Sequence, residues 1–148
     1  MSIMILDTGN LYFNINKRFN GKRINYDNIL KKMEIEPKIK IAYGAYRSEN
    51  RNALSFITAL NKLDFITKFK VLTTEKYYEP LCDIVIDVYE NMPLSTVVFG
   101  SSNLQLIPLI YKLKEKDVTV HIIGCNIPKA FHTVADNIIE INEEFIIK

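Results

Sequence analysis

Ile3-Met-Ile-Leu-Asp-Thr-Gly-Asn10 is the stretch that decides the fold. Its apolar run stops abruptly at Asp7-Thr-Gly-Asn10, and a second run, Thr96-Val-Val-Phe99, stops in the same way at Gly100-Ser-Ser-Asn103. A short unbroken apolar run closed by turn residues reads as a strand buried on both faces, the pattern of a parallel sheet covered by helices. Ligands of such sheets collect outside the carboxyl ends of the strands. Asp7, Asn10 and Asn103 are therefore expected in one crevice although they lie far apart in the chain.

Outward from these two runs, strand and helix patterns alternate without a low-complexity linker or an internal repeat, which predicts βαβ units. Asn10 to Lys17 reads as a short helix, and Asn25 to Met33 as a capped helix of about two turns. Lys38 to Tyr46 alternates, with Ile39, Ile41, Tyr43 and Ala45 on one side of a strand. Asn52 to Leu63 carries Leu54, Phe56, Ile57, Leu60 and Leu63 at helical spacing, and Phe65 to Leu72 reads as the next strand. Leu81 to Tyr89 is open between helix and strand, yet in either geometry Asp83 and Asp87 share a face. After the strand Thr96 to Phe99, an amphipathic helix is expected from near Gln105, with Pro108 in its first turn, where a missing N–H costs little. Val118 to Ile123 is a further strand, Pro128 to Ala135 a helix, and Ile138 to Ile141 a last short strand.

A chain of 148 residues with 48% apolar and 24% charged residues suits a single globular domain over residues 1–148. A net charge of +2 does not by itself announce a nucleic-acid binder, so a basic surface must come from local clusters such as Lys17, Arg18, Lys22 and Arg23. Cys82 and Cys125 have no companions at zinc spacing, which points away from structural zinc and toward a reducing compartment. No run approaches the length of a membrane span and the amino terminus lacks a leader pattern, so a cytoplasmic location without membrane contact is expected. His121, inside an apolar strand pattern, reads as a satisfied or edge residue, and His132 with Asp136 four residues on as a local surface contact or part of the crevice rim.

The chemistry the residues suggest is that of acids and amides at strand and helix ends. Two or three converging carboxylates bind Mg²⁺ or Mn²⁺, because hard cations prefer oxygen ligands and relieve the repulsion between the acids. Such a cation can activate water and stabilise charge on a phosphate. Asp7 with Asn10, and Asp83 with Asp87, are the candidates. The plainer reading of Asp7 is a turn former after a strand.

These motifs resemble the NYN domains, the LabA-like branch of the PIN-like nuclease superfamily, nearly from end to end. The family's opening Asp-x-x-Asn-Leu is matched by Asp7-Thr-Gly-Asn-Leu11 with the aromatic Tyr12, and its Val-Asp or Cys-Asp motif by Cys82-Asp83. Its Ser-Gly-Asp-x-Asp-Phe-x-Pro-Leu segment is similar to Ser101-Ser-Asn-Leu-Gln-Leu-Ile-Pro-Leu109, and its closing Ala-Asp to Ala135-Asp136. The resemblance implies a Rossmann-like α/β fold with a mostly parallel central sheet flanked by helices. It also implies an acidic, Mg²⁺- or Mn²⁺-dependent endoribonuclease centre, with Asp7 and Asp83 as metal ligands; Asp87, sharing a face with Asp83, is the further candidate catalytic acid, and it or Glu90 is what could substitute for a later acid of the family. Asp136 is placed near that centre by the resemblance alone.

The departures fall at the centre itself. Two aspartates of the family motif are Asn103 and Gln105 here, and Tyr89 stands where a later acid is expected. The family's Lys-Gly before its Val-Asp motif is replaced by Glu79-Pro-Leu81. An amide keeps an oxygen ligand but loses the charge that holds a divalent cation. Two readings follow. In the first, the fold binds RNA or another nucleic acid through Asn10, Asn103, Gln105, Lys17 and Arg18, with cleavage weak or lost. In the second, it is an inactive protein-interaction or homo-oligomeric assembly module, with Leu11-Tyr-Phe13 and Tyr77-Tyr78 on its surface. A mononucleotide-binding protein lacks support, since Gly9 and Gly100 do not form a glycine-rich phosphate loop.

Overall fold

The computed structural model describes residues 1–20, 22–74 and 77–147. In chain order the elements are β1 (Ser2–Asp7), α1 (Thr8–Phe19), β2 (Arg23–Ile24), α2 (Tyr26–Met33), β3 (Ile39–Arg47), α3 (Arg51–Lys62) and β4 (Ile66–Leu72). They continue with α4 (Leu81–Glu90), β5 (Thr96–Gly100), α5 (Ile107–Glu115), β6 (Thr119–Gly124), β7 (Asn137–Glu140) and β8 (Ile146–Ile147). Six strands form one sheet in the order β4-β3-β1-β5-β6-β7, every neighbouring pair parallel. The chain leaves β1 toward β3 and β4, then returns to its other side at β5. The topological switch point therefore lies between β1 and β5, where the sequence placed the crevice.

The two opening runs are buried on both faces, as their lack of alternation requires. Ile3, Ile5, Val97 and Phe99 join a core under α4 and α5 with Ile84, Val88, Ile110 and Leu113. Met4, Leu6 and Val98 join the opposite core under α1, α2 and α3 with Leu11, Ile15, Ile29 and Leu60. Successive residues of one strand point to opposite sides of the sheet, so each run feeds both cores.

Several boundaries moved for local reasons. α1 starts at Thr8 rather than Asn10 because Asp7 is itself the N-cap, its Oδ1 accepting from the Asn10 N–H at 3.3 Å. It runs on to Phe19 and ends at Asn20 in the left-handed conformation, φ 52°. The open segment at Leu81 is a helix: Glu79 Oε1 accepts from the Leu81 N–H at 3.1 Å, and Ile84 and Val88, one turn apart, are buried against the sheet. That packing outweighs the β preference of its branched residues. The helix expected at Pro128 to Ala135 is only a 3-10 turn at Lys129–Thr133 anchored by the buried Phe131. Leu54, expected on the buried face of α3, is 56% exposed. The antiparallel pair β2–β8 was not foreseen, since two-residue strands carry no periodicity. No helix of the described residues is long and apolar enough to cross a membrane.

Candidate functional site

Asp7 closes β1 at the switch point and is 94% buried, being 6% exposed. Burial pushes its pKa from the ordinary 3.8 up to about 6; the Asn10 N–H opposes the shift and the Glu79 carboxylate adds to it. Asn10 ties the crevice walls together. Its Oδ1 accepts from the Ser102 N–H at 2.9 Å and from the Ser102 hydroxyl at 3.1 Å, while Asn14 Nδ2 donates to the Asn10 carbonyl at 3.0 Å and to Ser102 Oγ at 3.3 Å. The start of α1 is thus stapled to the loop after β5.

On that loop the amides cap backbone. Ser101, buried, accepts from the Asn103 N–H at 3.2 Å, and Asn103 Oδ1 accepts from the Gln105 N–H at 3.0 Å, which starts the 3-10 turn Leu104–Leu106. Gln105 is exposed. Residues 101–105, which follow β5, include no carboxylate.

The acids of α4 stand on the other flank, and the sheet brings lysines to them. Tyr43 on β3 lies in register with Lys68 on β4, and Lys70 follows on the same face of that strand. Asp87, 10% exposed at its side chain, accepts from the Tyr43 hydroxyl and from Lys68 Nζ at 2.9 and 2.8 Å. One helical turn earlier, Asp83 accepts from the Tyr78 hydroxyl, with Lys70 Nζ at 3.9 Å and also 4.3 Å from the centre of the Tyr78 ring. Period four on α4 meets period two on β4, giving two successive Tyr–Asp–Lys groups. Burial and the neighbouring carboxylates push both phenols well above their usual range. Lys68, Lys70, Tyr78, Asp83 and Asp87, with Phe69 and Ile86, line a cleft of about 310 Å³. Asp7 is not among its lining residues; Glu79 and Tyr77 are close enough to interact electrostatically with Asp7.

Two expectations are corrected. Asp136 is at the opposite end of the sheet: it accepts from the Val120 N–H at 2.8 Å, at the amino end of β6, and pairs with Lys114 rather than with His132. Leu11, expected on one surface with Tyr12 and Phe13, is buried in the core, while those two rings are each 60% exposed. His121 is buried beside Asn137, its Nδ1 3.2 Å from the Asn137 amide. Of the basic candidates, Lys17 Nζ stands 4.4 Å from the Phe13 ring centre, and Arg18 is drawn to Glu140 at 3.8 Å.

Glu79, Lys68, Lys70, Tyr43 and Tyr78 were not singled out as site residues by the sequence reading. The alternation of Lys68 and Lys70 opposite an Asp pair one turn apart was the available signal. Only the strand register pairs them.

Residues 2–142 match the family model of the NYN domain. The chain belongs to the NYN domain family. A crystal structure of a protein of unknown function from Vibrio parahaemolyticus superposes with a TM-score of 0.81 at 18% identity, covering 99% of this chain and 96% of that one, a likeness of fold. Comparison with curated proteins gives no match. NYN and PIN-like nucleases generally use divalent metals, and the family association suggests nucleic-acid binding. The residues of this NYN domain do not fit such a cation in the observed arrangement. Asp83 and Asp87 already face ammonium groups and phenols, Asn103 is spent on a cap, and no three of His, Cys, Asp and Glu among the described residues converge as ligands.

Proposed function

We propose that this NYN domain is a cytoplasmic RNA-binding protein on a nuclease fold, with hydrolysis weak or lost. The observation that carries the reading is the charge compensation of Asp87 by Lys68, with the Tyr43 hydroxyl donating to the same carboxylate, one helical turn from Asp83. A lysine ammonium supplies charge compensation without the open coordination positions that a metal offers to water and phosphate. Asp7 is the one acid left for residual hydrolysis, with Asp83 and Asp87 holding Lys70 and Lys68 at the crevice. Asn10 sets the shape of the opening by fixing Ser102, Asn103 and Gln105 present amide edges at its lip, and Lys17 and Arg18 supply cations for the phosphates.

Labelled RNA titrated in EDTA and in Mn²⁺, with cleavage followed on gels, tests this reading. Salt-sensitive binding in EDTA is expected, with cleavage in Mn²⁺ absent or marginal and any trace of it removed by Asp7→Asn. Robust Mn²⁺-dependent cleavage that Asp7→Asn abolishes overturns the loss of hydrolysis. Absence of RNA binding at low salt overturns the binding.

A further inference from the structure

Three residues on the outer face of α1 form a column that begins beside Asp7. Gly9, Phe13 and Lys17 are spaced at i, i+4 and i+8, each step about 6 Å along the helix axis. Gly9 has no structural reason to be glycine. Its backbone is helical, it is exposed, and a Cβ placed on it meets nothing nearer than Asp7 Oδ1 at 3.9 Å. In a helix, glycine weakens the fold relative to alanine, so the site carries a cost that neither backbone nor packing explains. Close approach of a ligand to bare backbone does explain it. Next on the column, Phe13 remains 60% exposed although Lys17 lies over its ring, and Tyr12 beside it is exposed to the same degree. α1 has no acidic residue, and its last turn carries Lys17 and Arg18. Arg18 leans toward Glu140, so Lys17 is the cation this face offers, and exposed rings beside it complement a strand that alternates bases with phosphates.

We propose that this face of α1 is a single-strand platform: unpaired bases stack on Tyr12 and Phe13, Lys17 meets the phosphates, and the backbone passes over Gly9 toward Asp7. The proposal rests on the nucleic-acid-binding reading above and narrows it to a substrate class, since a duplex hides the base faces that the rings would take.

Fluorescence anisotropy with a labelled oligouridine strand and a blunt RNA duplex of equal length, at fixed salt and in EDTA, tests it. Tight binding of the single strand over the duplex is expected. Tyr12→Ala/Phe13→Ala should weaken single-strand binding by roughly 5- to 150-fold per stacked base and leave duplex binding unchanged. All these side chains are exposed, so folding is preserved, and denaturation midpoints check that. Gly9→Ala should raise the denaturation midpoint while weakening single-strand binding; a stabilised variant with unaltered binding removes Gly9 from the path. Equal binding of strand and duplex, insensitive to loss of both rings, overturns the platform and leaves the broader reading standing, whereas failure to bind either RNA overturns both. Light scattering guards against self-association: a dimer that the double variant dissociates assigns the rings to a second copy of the chain and overturns the proposal.

Discussion

Replacing Lys68 by methionine tests whether the crevice is held by internal charge compensation. The ammonium bonds both oxygens of a carboxylate that is 10% exposed, while Lys68 itself is 45% exposed at its side chain. An exposed pair contributes about 0–1 kcal/mol, and removing one partner of a fully buried pair costs about 3–5 kcal/mol. A buried acid facing a half-exposed base lies between these limits. Tyr43 still donates to Asp87 after the change, which sets the expected loss near 2 kcal/mol, or about 4–8 °C in Tm for a chain of this length. Urea denaturation at pH 7 reads it as a lower midpoint with unchanged slope. Asp87→Asn keeps a partner for Tyr43 and leaves a lysine that water can solvate, so it should cost less, about 1 kcal/mol. In the Asp87→Asn background, Lys68→Met should then cost under about 0.5 kcal/mol, the coupling expected of groups in direct contact. A single-variant loss below about 0.5 kcal/mol, or equal losses in the two backgrounds, refutes the compensation and returns Asp87 to the set of free acids.

The raised pKa of Asp7 has a defined sign. Its protonated form is favoured in the fold, so the stability it contributes is complete below pH 4 and is lost as pH rises through about 6. Asp7→Asn, which keeps an N-cap side chain, should therefore match the parent near pH 4 and exceed it by about 2–3 kcal/mol at pH 7.5 in denaturant midpoints; equal stability at both pH values contradicts the burial argument. Gly44→Ala should destabilise by about 1–3 kcal/mol or more. A Cβ at that position lies 2.5 Å from the Phe69 ring and 2.6 Å from Thr8 Oγ1, and Thr8 donates to the Tyr43 carbonyl at 2.7 Å, so the β1–α1 corner cannot yield freely. A neutral result in calorimetry would show that Phe69 swings aside.

The amino-acid sequence by itself determined the sheet and the place of the crevice. Ile3 to Leu6 and Thr96 to Phe99 are apolar without alternation, which only a strand covered on both faces satisfies, and Asp7 and Ser101 had to follow at strand ends. Local signals also placed Asn25 as a cap and Pro108 in the first turn of a helix. Segment type stayed open where two local rules compete, as in Leu81 to Tyr89, because branched residues favour strand while burial of one helical stripe favours helix. Asp136 was misplaced because a motif fixes a residue's order in the chain and not the end of the strand on which it lands. Tertiary structure alone decided the chemistry of the α4 acids. Asp83 and Asp87 share a face whatever their secondary structure, but the register of β3 with β4 brings Tyr43 and Lys68 to Asp87. Charge compensation acts over a few ångströms between residues far apart in sequence. It becomes visible only once the chain has folded.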